Sequence, residues 1–140
     1  MSRIFWDTNL FIYFLEDYGD FTKKTEDVRS KMLARGDQLF TSTLTLGEIL
    51  VKPAREGRAD ICRQYEQLLM TAAVLLPLDV PAARIYASLR FDRSTNAPDA
   101  VQLACAAAAG VDLFITNDAR LQSKQVPGIQ FIVSLDRVPI

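Results

Sequence analysis

Ile4, Phe5 and Trp6 form an apolar run that stops abruptly at Asp7-Thr8-Asn9. Such a run is too short for a helix and suits a strand buried on both faces, where no polar side is needed. Leu10, Phe11, Phe14 and Leu15 then recur at helical spacing, so a helix begins at once. A strand covered on both faces needs helices above and below it, which points to an α/β fold built on a parallel sheet. Asp7 then falls at the carboxyl end of a central strand, the edge at which open α/β sheets bind their ligands.

The rest of the chain repeats this alternation. Gln38–Thr41, Val74–Leu78, Leu113–Thr116 and Gln130–Val133 read as further strands. Before Gln38–Thr41, Asp20 is expected to cap a second helix that buries Phe21, Val28 and Met32 and stops at Gly36. A third helix starts near Thr45 with Leu46, Ile49 and Leu50 on its apolar side. Pro53 is expected to end or kink it, because proline lacks the N–H and clashes with the preceding turn. After Gly57, a stripe of Ile61, Tyr65, Leu68 and Leu69 marks a fourth. Asp79 caps a fifth, with Pro81 in its first turn and Ala82, Ile85 and Leu89 facing inward. Residues 90 to 96 form a polar loop, and a regular helix then runs from Pro98 to Gly110. No repeat or linker interrupts the 140 residues, enough for one core, so a single domain over 1-140 is expected. Its fold class is α/β, with a central parallel sheet of four to five strands and helices on both faces.

Composition narrows the chemistry. The chain has no histidine, which excludes imidazole general bases, Ser-His triads and ordinary histidine zinc sites. With 16 basic and 17 acidic residues the net charge is -1, so nucleic acid would have to be held by a local patch. Cys62 and Cys105 are far apart in helical stretches and read as free thiols in a reducing, cytoplasmic setting. No apolar run is long enough to span a bilayer, so no membrane role is expected.

Four carboxylates remain to carry any chemistry. Taken singly, each has a structural use. Asp7 and Asp118 can cap helices, and Asp99 follows Pro98 in a first turn that favours negative charge. Thr45 and Glu48 have capping-box spacing. Taken together, they share a location. Asp7 and Asp118 each end a parallel strand, Asp99 opens the helix leading to the second of those strands, and Glu48 lies in the helix after the second strand. All four fall on the carboxyl edge of one sheet. Acids gathered there repel unless protonated or neutralised by cations. Hard oxygen ligands suit Mg2+ or Mn2+, and without histidine a metal is the economical source of hydroxide at neutral pH.

Three uncharged residues stand beside the acids. Asn9 is placed to ligate a metal or position its water, and Thr8 and Thr116 to donate hydrogen bonds to the carboxylates. No lysine or arginine is obviously assigned to the group, so the pocket is expected to be an unneutralised negative hole. Lys52 and Arg55 follow Glu48 at i+4 and i+7 and offer a cationic rail for a phosphate backbone, with Arg90 and Arg93 as the opposite bank. Alternatively, Glu48 and Lys52 form an ordinary surface pair.

These residues resemble the PIN domains. The likeness rests on Asp7-Thr8-Asn9 after the first strand, Glu48 within Thr45-Leu46-Gly47-Glu48-Ile49-Leu50, Asp99 within Pro98-Asp99-Ala100, and Thr116-Asn117-Asp118 after a late strand. Within that family the chain is most similar to the VapC-type toxins of prokaryotic toxin–antitoxin pairs, which are single PIN domains. The resemblance implies a three-layer sandwich and a Mg2+- or Mn2+-dependent endoribonuclease with Asp7, Glu48, Asp99 and Asp118 as acidic metal-site residues. Asn9 and Thr116 would support them. It also implies a cognate antitoxin and often a homodimer. Together with the four acids and no assigned lysine, it leads to the expectation that the antitoxin plugs the pocket with an arginine or lysine and rests its apolar part on the first helices, where Phe11, Tyr13, Phe14 and Tyr18 lie, although Phe11 and Phe14 read first as core packing. Two other readings stay open. In a haloacid-dehalogenase-like phosphatase Asp7 would be the nucleophile, although that chemistry wants a second acid at position 9. In a non-catalytic RNA-binding module the acids would be structural.

Overall fold

The computed structural model describes all residues from Met1 to Ile140. Five strands alternate with seven helices: β1 (Arg3–Trp6), α1 (Thr8–Leu15), α2 (Asp20–Arg35), β2 (Gln38–Ser42), α3 (Thr43–Arg55), α4 (Ala59–Ala72), β3 (Val74–Leu76), α5 (Val80–Leu89), α6 (Ala97–Ala109), β4 (Leu113–Ile115), α7 (Ala119–Gln122) and β5 (Phe131–Val133). All pairings are parallel, in the order β3-β2-β1-β4-β5. This is the expected α/β sandwich, with β1 at its centre.

Residue alternation along the strands builds both layers, because successive side chains leave a strand on opposite faces. Phe5, Phe40 and Phe114 pack with α6 and the inner side of α5. Phe5 and Phe114 are register partners whose rings stack at 4.9 Å and 8°. Ile4, Trp6, Leu39, Leu113 and Ile115 face the other way, onto the layer formed by α1 to α4. From β1 the chain moves to β2 and β3 on one side. It then crosses over through α5 and α6 to β4 and leaves toward β5 on the other side. The carboxyl ends of β1 and β4 therefore form the crevice where the chain's direction reverses, the place such sheets use for ligands.

One turn depends on glycine. Gly128 has φ +98°, and a Cβ there would lie 2.6 Å from the carbonyl oxygen of Ala107. Only a residue without a side chain lets the loop before β5 press against the end of α6.

Three local expectations are corrected. The N-cap of α2 is Gly19, at φ 63°, and Asp20 is the first helical residue. Phe21 is 41 % exposed and stacks on Tyr13 at 4.9 Å, while Thr25 takes a buried place beside Val28 and Met32. Pro53 does not end α3, which runs on to Arg55. Pro53 is buried, so packing offsets the missing hydrogen bond near the helix end.

Candidate metal centre at the carboxyl edge of the sheet

Asp7 is the N-cap of α1 and is only 8 % exposed. Oδ1 accepts from the backbone N–H of Thr8 at 2.9 Å and from Gln102 Nε2 at 3.3 Å. Oδ2 accepts from Thr116 Oγ1 at 2.7 Å. The Asp7 pKa is raised from its ordinary value, first by burial and further by the charge of Glu48, with these three hydrogen bonds opposing. The fold thus spends stability to hold a carboxylate at the strand end.

Asp99 lies in the first turn of α6, fixed there by Asn96, whose Oδ1 accepts from the Asp99 N–H at 2.9 Å. Its pKa is also raised, by burial first and then by the charges of Asp118 and Asp7, with Arg120 opposing. Asp118 caps α7 and accepts from the Arg120 N–H at 3.0 Å. Its pKa is lowered, chiefly by hydrogen bonding from the Arg120 side chain. Glu48 is exposed on α3, and its Oε1 accepts from Thr8 Oγ1 at 2.6 Å. It forms no capping box, because Thr45 is a buried interior residue of α3 and the N-cap is Ser42.

Asp7, Asp99 and Asp118 are coupled through their charges, as are Asp7 and Glu48. No three acids converge closely enough to enclose a metal ion. The expectation of an unneutralised hole is corrected, because a cation of the chain itself already lies there. Arg120 Nε and Nη2 donate to Asp118 Oδ1 and Oδ2 at 3.1 and 2.6 Å, and Nη2 lies 3.5 Å from Asp99 Oδ2. A cation is thus accommodated between Asp99 and Asp118, whose carboxylate oxygens are hard donors of the kind a divalent ion takes together with water.

The neutral residues divide. Thr8 ties Glu48 to the end of β1, and Thr116 holds Asp7 while accepting from the Asp118 N–H at 3.0 Å. Asn9 points elsewhere: its Oδ1 accepts from the backbone N–H of Asn117 at 3.4 Å and stitches the two strand-end loops together. Of the four cations, Lys52 is tied at 3.0 Å to Glu16, the C-cap of α1. Arg90 folds back on α5, donating to the Tyr86 hydroxyl at 2.9 Å. Arg55 and Arg93 are exposed and make no ion pair or side-chain hydrogen bond.

Gln102 was not anticipated. It is 2 % exposed and on α6, one turn after Asp99. Besides Asp7, its Nε2 approaches Thr45 Oγ1 at 2.8 Å and Thr8 Oγ1 at 3.1 Å, while its Oε1 accepts from Ser42 Oγ. Thr41 Oγ1 extends the network, 2.7 Å from Thr45 Oγ1 and 2.9 Å from the Trp6 carbonyl. The signal was a lone amide in the apolar stretch Ala100-Val101-Gln102-Leu103-Ala104, three residues beyond Asp99, which places both on one face of a helix.

The profile of the PIN domain family matches residues 4–126, and the chain belongs to that family. In fold, it is similar to a chain of VapBC2 from Rickettsia felis, solved bound to a promoter DNA fragment: TM-score 0.74, 12% identity, covering 94% of this chain and 98% of that one. A chain of DNA-bound VapBC from Salmonella typhimurium matches at TM-score 0.72 and 17% identity, covering 96% and 99%. A chain of VapBC-5 from Mycobacterium tuberculosis, of the VapBC family of toxin–antitoxin systems, matches at 0.61 and 21%, covering 94% and 98%. No curated protein matches the chain in sequence.

Proposed function

We propose that this chain is a Mg2+- or Mn2+-dependent endoribonuclease and the toxin of a toxin–antitoxin pair. The observation that carries the reading is Asp7, a buried carboxylate held at the switch point of the sheet, with Asp99, Asp118 and Glu48 gathered around it on three other elements. PIN family membership and the likeness to chains of toxin–antitoxin complexes support it.

Asp99 and Asp118, which already share one cation, would hold the ion with water completing its shell, Asp7 would add its charge from the strand end, and Glu48 would take an outer position through Thr8. When bound, such an ion supplies activated water and stabilises charge on the phosphate and leaving oxygen. The chain's own residues do the rest. Thr116, Gln102 and the Thr8 N–H fix the rotamer of Asp7. Thr8 holds Glu48 toward the same edge, where it can position water or take a proton. Exposed Arg93 and Arg55 offer phosphate contacts.

The antitoxin surface is proposed at the cleft lined by Trp6, Phe11, Phe14, Leu15, Leu39 and Leu68, between α1, α2 and α4. Phe14 and Leu68 are exposed there, and the buried indole N–H of Trp6 has no partner. Phe11 is core, while Tyr13 and Tyr18 pack on one another at 5.5 Å. Self-association to a homodimer is also proposed, through exposed Val74, Leu78 and Val80 at the β3 edge, and light scattering checks it.

The phosphatase reading loses support. Its nucleophile would be Asp7, but the second acid that chemistry wants is replaced by Asn9, whose Oδ1 accepts from the Asn117 N–H instead. Incubating purified protein with RNA in Mg2+ and in EDTA tests the proposal. Metal-dependent fragments ending in 5′-phosphate and 3′-hydroxyl are expected. Binding without cleavage under any divalent ion would instead establish a non-catalytic module.

A further inference from the structure

We propose that Arg120 is a metal-coupled phosphate clamp: its guanidinium competes with a divalent ion for Asp118 and Asp99, and once displaced by the ion it grips the RNA phosphate. This rests on the metal-nuclease reading and adds a residue and an order of events to it.

The geometry is that of a competitor. Arg120 Nη2 lies 2.6 Å from Asp118 Oδ2 and 3.5 Å from Asp99 Oδ2, and Nε holds Asp118 Oδ1 at 3.1 Å. The two acids proposed to hold the ion therefore face one guanidinium. A divalent ion drawn by the same carboxylates would lie within a few ångströms of that guanidinium, and the two positive charges repel. The ion carries the greater charge and binds carboxylate oxygens directly, so the guanidinium is the group that yields.

No other cation plays this part. Lys124 is pinned to Asp92 and Ser94 at 3.1 and 3.0 Å, Arg90 lies on Tyr86, and Lys52 is held by Glu16. Among the chain's ion pairs, only those of Arg120 involve Asp99 or Asp118. Its side chain is 64 % exposed and springs from a four-residue helix, so it can move without disturbing the core. Once released at the edge of the acids, its planar fork is suited to two phosphate oxygens at once. The device has two uses. It relieves the repulsion among clustered acids when no metal is present, and it makes metal and RNA binding cooperative.

The test is calorimetric titration of Mn2+ into protein alone, for wild type, Arg120→Ala and Arg120→Lys. In parallel, binding of a fluorescent single-stranded RNA is measured in Ca2+, which is expected to support cleavage poorly. Arg120→Ala is expected to bind Mn2+ on the order of tenfold tighter and RNA on the order of tenfold more weakly, about the value of a charge-assisted fork. Arg120→Lys, which keeps the charge but not the fork, should recover little of the RNA affinity. Arg120→Gln replaces the alanine variant if that does not fold. Unchanged or weaker Mn2+ binding, or unchanged RNA binding, in a folded variant overturns the proposal even if the wild type cleaves RNA. Tighter Mn2+ binding together with weaker RNA binding supports it, and does so even if the wild type proves unable to cleave.

Discussion

Gln102 Nε2 on α6 lies 3.3 Å from Asp7 Oδ1 at the end of β1, joining residues 95 apart in sequence. The same amide approaches Thr8 and Thr45, and its carbonyl accepts from Ser42. One side chain thus ties together β1, α1, α3 and the end of β2 beneath the acids. Its replacement by leucine keeps the volume and removes every bond. The orphaned groups are buried, so Gln102→Leu is expected to lose about 2–3 kcal/mol of stability, the cost of stranding one or two polar groups. RNA cleavage should fall about 10–100-fold, as when the outer support of a metal ligand is lost. Urea denaturation and a cleavage assay check this, and a variant as stable as wild type contradicts the network.

Asp7 gives a pH dependence whose sign is fixed by its environment. Burial raises its folded pKa above the ordinary value of 3.8, and Glu48 adds to the effect. A carboxyl with a raised folded pKa binds more protons folded than unfolded, so stability falls as pH rises between the unfolded and folded values. In metal-free protein, Asp7→Asn is therefore expected to be more stable than wild type at about pH 7, the difference disappearing toward about pH 4. Saturating Mg2+ should reverse the order, because only wild type keeps the charge that Asp7 adds to the proposed ion site. Asp118 acts in the opposite direction: held low by Arg120, it contributes stability that is lost as pH falls through its folded value. Denaturation at several pH values decides the matter, and an Asp7→Asn variant less stable at neutral pH without metal goes against it.

Lys52 and Arg93 looked alike as RNA contacts in the sequence and separate in the structure. Lys52 Nζ is held by Glu16 Oε1 at 3.0 Å, whereas Arg93 is exposed and unpaired. Arg93→Ala should weaken RNA binding and reduce the slope of log affinity against log salt by about one, the signature of a lost phosphate contact. Lys52→Ala should leave both within about twofold, because an engaged surface cation contributes little elsewhere. Fluorescence anisotropy across a salt series tests the pair, and equal losses in the two variants would restore the cationic rail.

What the sequence made legible was local. The strands were visible because each is a short apolar run meeting a helical repeat, and Asp79, Gly36 and Pro81 sit where cap and first-turn chemistry put them. The four acids were visible because strand ends and helix starts fix their edge. The correct placement of Gln102, Arg120 and Lys52 needed three dimensions. Gln102 meets partners that come from β1, β2 and α3. Arg120 reads as an ordinary helix residue until α7 is set beside α6. Lys52 has Glu48 four residues before it, yet it pairs with Glu16, the C-cap of α1. Pro53 does not end α3 because proline's backbone cost is local while the burial that offsets it is tertiary.

The central claim is that the acids on the carboxyl edge carry out RNA cleavage, and Asp99→Asn tests it most directly. This change keeps the volume, and the N–H that bonds Asn96 belongs to the backbone, so the fold should survive, as a melting curve verifies. The account predicts that the folded variant loses at least about 100-fold of the Mg2+-dependent cleavage rate of wild type, the upper range for losing even an outer partner of a metal site. A folded Asp99→Asn protein that cleaves RNA at near the wild-type rate would contradict it.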